Sequence, residues 1–221
     1  MLTIIENCWR CRLVKTGILG KKIGMTNIFL ENGDSIGVTI LMAGPCVVLN
    51  KREKEKDKYD ALQLGFVAIE KKSRVNKPLS GYFKKQNILP FKHIKEFKFV
   101  DIDKYEIGNE IKADLFKEGE RVNVIGVSKG KGFAGSIKRH NFSREPKSHG
   151  QKDKYRSPGS IGAVDAAKVF KGKKLPGKMG NETVKVKNIE VVRVDLDRNL
   201  ILLKGAIPGP NNALVAIEKV S

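Results

Sequence analysis

The chain has 221 residues, 43 of them Lys or Arg and 24 Asp or Glu, for a net charge of +19. A hydrophobic content of 40% suffices for a packed core and argues against wholesale disorder, and no run approaches the roughly 20 apolar residues that a bilayer-spanning helix needs. Charge of this size repels itself unless a polyanion neutralises it, which leaves nucleic acid, an anionic membrane surface or an acidic protein as partner classes.

Residues 1–15 read as a flexible leader. Glu6, Arg10 and Arg12 interrupt its apolar residues and no small-residue cleavage site follows, so a signal peptide fits poorly. It is either a lineage-specific extension or the product of an upstream start codon. Cys8-Trp9-Arg10-Cys11 has the spacing of half a zinc site. No second Cys or His pair completes it, so no metal is expected. Three cysteines (Cys8, Cys11, Cys46) cannot make a disulfide framework, and an odd count suits a reducing cytoplasm.

From residue 16 the chain alternates like a β-protein. Residues 16–23 and 26–30 are short apolar runs, Asn32-Gly33-Asp34 supplies a hairpin turn, and 35–42 returns as the partner strand. A strand over 46–50 precedes a solvated charge run at 51–58, and 59–67 (YDALQLGFV) reads as another strand. Residues 77–86 fit one short helix with Pro78 in its first turn, within a small, partly helical insertion around 70–100. Phe97, Phe99 and Ile102 sit in a strand-like run, and 121–127 (RVNVIGV) is a clear alternating strand.

Residues 128–179 differ in kind. They hold 14 bases against three acids (Glu145, Asp153, Asp165), or +11, leaving 29 − 21 = +8 for the rest of the chain. Glycine and lysine dominate, and neither a period of 2 nor of 3.6 persists. A solvated basic linker is the bland reading. Flexible linkers seldom keep Phe133, Ile137, Phe142, Tyr155, Ile161, Val169 and Phe170, whereas an arm ordered on RNA uses such groups for local clusters and stacking. A membrane-surface helix needs a bulky apolar face that recurrent Gly and Pro deny it. The favoured reading is an RNA-embedded arm at 128–180, inserted between strands of a scaffold formed by 16–127 and 181–221. The strands on either side of the arm should therefore be neighbours.

After the arm, 183–194 alternates, with Val184 and Val186 on one side and Lys185 and Lys187 on the other. Asp197-Arg198-Asn199 turns the chain into 200–204, and Ile207-Pro208-Gly209-Pro210 breaks it before a last strand at 213–217. Many short strands separated by turns make the fold mainly β with minor α, an antiparallel barrel or sandwich carrying a long irregular basic extension.

Two catalytic readings compete with this one. Gly130-Lys131-Gly132-Phe133-Ala134-Gly135 matches a dinucleotide-binding pattern after a strand, but no second strand with a terminal acid follows. It reads as a glycine-rich hinge, and an RNA-modifying or dinucleotide-dependent enzyme is the weaker alternative. His140 and His149 lie near Ser143, Ser148 and Asp153, yet catalytic geometry needs a rigid surround that this composition does not supply. These histidines are better suited to RNA contacts. No catalytic residue, cofactor, metal or small-molecule substrate is expected.

Several stretches together resemble the universal ribosomal protein L-three family in its bacterial or organellar form. They are 16–26 (TGILGKKIGMT), 128–139 (SKGKGFAGSIKR), His149-Gly150, 156–162 (RSPGSIG), 168–174 (KVFKGKK), 177–182 (GKMGNE) and 191–205 (VVRVDLDRNLILLKG). The resemblance implies a translation-protein-type antiparallel β-barrel with a central extension. It implies a structural role in the large ribosomal subunit, bound near the 3′ domain of 23S-type rRNA and helping to nucleate assembly, with the extension directed at the peptidyl transferase centre. Neighbours from the L-fourteen and L-nineteen families, a cytoplasmic or organellar ribosome, no membrane and no homo-oligomer are also implied.

Within the matching motifs, Lys129, Lys131, Lys138, Arg139, Arg156, Lys168, Lys171, Lys173, Lys174 and Lys178 are the expected phosphate and ribose contacts. Arg144, Lys147, His149 and Lys154 lie in the same arm and join them as rRNA-binding candidates. Gly162, Ala163, Val164, Asp165, Ala166 and Ala167 align with the family's innermost loop. That loop usually carries a Thr-Pro-Gly-like turn, and in some bacterial members a modified glutamine. This chain has Ala163-Val164-Asp165-Ala166-Ala167 and inherits neither.

Overall fold

The computed structural model describes residues 16–71, 75–99 and 102–220. The leader and its Cys8–Cys11 pair lie outside them. The protein is mostly β, with twelve strands among the described residues: β1 (Gly17–Phe29), β2 (Ser35–Ala43), β3 (Cys46–Arg52), β4 (Ala61–Ala68), β5 (Phe91–Phe97), β6 (Glu110–Ile111), β7 (Arg121–Val127), β8 (Phe133–Ala134), β9 (Gly177–Lys178), β10 (Thr183–Asp195), β11 (Leu200–Lys204) and β12 (Leu214–Lys219). Three short helices accompany them: α1 (Lys54–Asp57), α2 (Lys77–Gln86) and α3 (Ser136–His140). The chain divides into two compact units, one ending at Val127 and resuming at Thr183, the other spanning Ser128–Glu182.

In the first unit six strands close into an antiparallel ring in the order β1-β12-β7-β10-β11-β2. The strands flanking the basic segment are neighbours, as expected: β7 pairs with β10, with Thr183 opposite Val127. A second antiparallel sheet, β5-β4-β3-β6, is not separable from the ring by sequence pattern. Both sheets feed one core, in which Ile18, Leu41, Val124, Val191, Leu203 and Ile217 from the ring meet Val48, Leu62, Leu64 and Phe97 from the second sheet. Each such side chain removed from water contributes about 1.5–3 kcal/mol. A satellite cluster of Leu49, Phe83 and Phe91 seats α2 on that sheet. Cys46 is buried with its thiol donating to the Leu19 carbonyl, and burial pushes that thiol up to about 12.

Several elements differ from their sequence-based outlines. The two runs at 16–23 and 26–30 form one continuous strand, because Ile23 is an inserted residue where pairing shifts between Lys22 and Gly24. The charge run at 51–58 contains the single turn α1, while β4 starts at Ala61 rather than residue 59. Phe99 and Ile102 are buried beyond the end of β5 rather than within it. Alternation along β10 reverses at Asn188, which has a φ of 57°. Pairing with β7 shifts between Val186 and Ile189, and Asn188 donates its backbone N–H to Asn123 Oδ1 at 3.1 Å. Before the shift Val186 packs against the core while Val184 is exposed, and beyond it Ile189 and Val191 are the buried pair.

Candidate nucleic-acid interface

The basic segment is more ordered at its root than its composition suggests. Ser128 and Glu182 bind each other through a backbone N–H to carbonyl bond (2.9 Å) and through the Ser128 hydroxyl (3.2 Å). Asn181 donates to the Ser128 carbonyl, Lys131 to Met179, and Met179 back to Gly132. The β8–β9 pair extends this into a two-stranded ribbon, with Phe133 opposite Lys178. Gly180 makes the close approach possible: its φ is +71°, and a Cβ there would collide with the Lys129 carbonyl oxygen.

The helix α3 follows at once and is pinned across the ribbon. Arg139 Nη1 donates to the Leu175 carbonyl at 2.9 Å, and His140 Nε2 lies 3.0 Å from the same oxygen. A helix therefore does follow the three glycines. It is five residues long, and the ribbon beside it is antiparallel, so the βαβ frame of a dinucleotide site is absent among the described residues. His140 spends its ring nitrogen on a backbone carbonyl, and His149 lies exposed in a turn with φ 60°.

The ribbon and α3 together gather charges that are far apart in sequence. An open depression of about 480 Å³ is lined by Lys129, Lys131, Arg139 and Lys178, with Ser128 and His140 among them and Glu182 as its single acid. A second, of about 350 Å³, brings Lys138 and Arg156 beside Phe133, which is 79% exposed. A flat apolar face flanked by two cations is what a stacked base and its phosphates need.

Farther along, Tyr155 organises the middle of the segment. Arg144 donates to its hydroxyl at 3.3 Å, Lys147 Nζ lies 5.6 Å from its ring centre, and Glu145 donates its backbone N–H to the Tyr155 carbonyl. The Arg144 hydrogen bond, with Lys147 and Arg156 nearby, holds the Tyr155 hydroxyl below its ordinary pKa. Lys154 is exposed next to this cluster. Lys168 lies 5.9 Å from the Phe170 ring centre, with Lys171, Lys173 and Lys174 exposed after it.

Between these groups, Gly162 to Ala167 form a turned loop closed by a bond from Ala167 N–H to the Val164 carbonyl. Val164 is 92% exposed, and Asp165 lies exposed beside it.

The fourteen candidates thus fall into local groups rather than one surface. Lys129, Lys131, Arg139 and Lys178 share one depression, Lys138 and Arg156 another, and Arg144 and Lys147 meet at Tyr155. His140, already read as an RNA contact, also lines the first depression, as do Ser128 and Glu182, which sequence reasoning misses there. Position alone does not reveal them, since the ribbon joins residues about fifty apart. Among the described residues no group of three or more His, Cys, Asp or Glu is placed to hold a metal ion, and no helix is long and apolar enough to cross a membrane.

Comparison with known proteins identifies the family. Residues 94–199 match the family model described as Ribosomal protein L3. The chain is 53% identical over 203 residues to the large ribosomal subunit protein uL3 of Carboxydothermus hydrogenoformans, covering 92% of this chain and 96% of the relative. It is 51% identical to the protein of that name from Heliobacterium modesticaldum, covering 93% and 97%. A Geobacillus counterpart is 52% identical, covering 91% and 95%.

Proposed function

The chain belongs to the ribosomal protein L3 family, and from that membership we propose how the basic segment serves the ribosome. The protein is a structural constituent of the large ribosomal subunit and not an enzyme. In our reading, the ring and its companion sheet form the scaffold, and residues 128–182 are the arm that embeds in 23S-type rRNA near its 3′ domain. The arm runs toward the peptidyl transferase centre with 162–167 innermost, and the protein helps to nucleate subunit assembly beside members of the L-fourteen and L-nineteen families.

The observation that supports this most is the gathering of Lys129, Lys131, Arg139 and Lys178 around one depression, with Phe133 exposed between Lys138 and Arg156 nearby. Fixed cations replace the diffuse counterions of closely packed rRNA segments, and the exposed ring stacks on an unpaired base. The remaining candidates, including His149, Lys154 and the Lys171–Lys174 group, add salt-sensitive affinity. The arm's tip depends on backbone shape instead, since 162–167 carries no cation.

Binding of the full chain to a large-subunit rRNA fragment and to a length-matched unrelated RNA, measured across a salt series, tests the proposal. A preference for the ribosomal fragment that survives raised salt is expected. Equal affinities collapsing together as salt rises would reduce the arm to a generic polycation.

A further inference from the structure

None of the 43 Lys and Arg residues lies between positions 23 and 50, where an even spread would put about five. That stretch includes the outer part of the β1–β2 hairpin, and its only acids, Glu31 and Asp34, sit at the turn. Part of the hairpin stands outside the ring. β1 pairs with β12 only from Gly17 to Lys21, and β2 with β11 only from Val38 to Met42. Past Thr26–Val38 the two strands pair with each other, through Asn27–Gly37, Ile28–Ile36 and Phe29–Ser35, and the Gly37 carbonyl accepts from the Gly205 N–H at 2.8 Å.

This outer segment exposes large apolar side chains. Phe29 is 76% and Met25 54% exposed, on one face of the hairpin with Asn27 between them and the small residues Gly37 and Ser35 opposite Asn27 and Phe29. Ile23 and Leu30 are exposed as well. Isolated two-stranded hairpins are marginal in water, and open strand edges are usually blunted with Lys or Pro. Residues 23–30 contain neither.

We infer that the outer β1–β2 hairpin docks a basic protein, not RNA, through Met25 and Phe29 with Glu31 and Asp34 at the rim. The partner presents apolar side chains flanked by Lys or Arg, which cover the Met25–Phe29 face and meet the two carboxylates. RNA is the disfavoured occupant. Its phosphates find no cation among residues 23–50, meet two acids at the turn, and lose hydration against apolar groups without compensation. The inference rests on the large-subunit reading above, because the partner is a neighbour within that particle.

Photo-crosslinking in large subunits assembled with the full chain tests it, with benzoylphenylalanine replacing Phe29 in one preparation and Phe133 in another. The expected result at position 29 is a protease-sensitive, RNase-resistant adduct to one protein, at a segment rich in Lys or Arg and apolar residues. Glu31→Lys with Asp34→Lys is expected to lower that adduct's yield at least fivefold while leaving the melting temperature of the free protein unchanged. An adduct to rRNA, to an acidic segment, or no adduct at position 29 overturns the docking site whatever position 133 does. Absence of an rRNA adduct at position 133 overturns the arm's rRNA reading instead.

Discussion

Lys22 carries its ammonium into the protein interior at 6% exposure, donating to the Ile207 carbonyl at 2.8 Å and the Gly209 carbonyl at 3.3 Å. It thereby ties the loop before β12 to the point where β1 bulges. A buried charge is retained only when hydrogen-bonded, and such a charge-assisted bond contributes about 1.5–3 kcal/mol. Lys22→Met keeps the length and loses the donor, so a loss of about 2 kcal/mol is expected in urea unfolding. A change under about 0.5 kcal/mol would show that the loop holds without the amine.

His93 makes the protein's stability depend on pH. Burial on β5, and Lys92 beside it, hold the imidazole below its ordinary value. As pH falls from neutrality the unfolded chain therefore takes up this proton before the folded chain does. This contribution to stability is flat above the ordinary histidine value of about 6.5 and declines below it. His93→Gln should flatten that part of the profile, read as urea midpoints at pH 7.5, 6.5 and 5.5. Equal slopes in the two proteins would refute the assignment.

At the scale of elements, local chemistry separates what sequence reveals from what it hides. α2 lies at 77–86 as expected, because Pro78 opens it and its apolar pattern is helical. β7 and β11 match their outlines because nothing interrupts their alternation. β1 and β10 do not, because one inserted residue flips every later side chain to the other face, and neither Ile23 nor Asn188 announces itself in composition. The candidate site divides the same way. Its cations are plain in composition, but their grouping depends on the root ribbon, a long-range pairing that no local pattern encodes.

Gly180 tests that ribbon. Gly180→Ala places a Cβ against the Lys129 carbonyl in a left-handed backbone conformation, a local strain on the order of 2 kcal/mol. Faster amide exchange at Lys131 and Met179 is expected, with several-fold weaker binding to large-subunit rRNA. The ring amides on β7 and β12 should keep their protection. Unchanged exchange at the root would show that the ribbon tolerates the methyl group.

For the whole molecule, closure of the ring and possession of the arm are separable. Val127 and Thr183 are directly paired, so the chain leaves the ring and re-enters it at hairpin distance. Replacing 128–182 with Asn-Gly therefore converts β7 and β10 into an ordinary hairpin, a connection that suits the twist of adjacent antiparallel strands. The ring's other five pairings involve no residue of the deleted segment. The shortened protein should unfold in a single transition with a melting temperature within a few degrees of the full chain's. Deletion removes 14 bases and four acids, or +10, and leaves +9 distributed over the scaffold. If the arm neutralises the phosphates, the salt dependence of rRNA binding should flatten by roughly 0.7–0.9 in slope for each phosphate that the shortened protein leaves to its counterions. The preference for ribosomal over unrelated RNA should vanish with it. A shortened protein that keeps both slope and preference would place specific recognition on the scaffold and leave the arm a role in later packing alone.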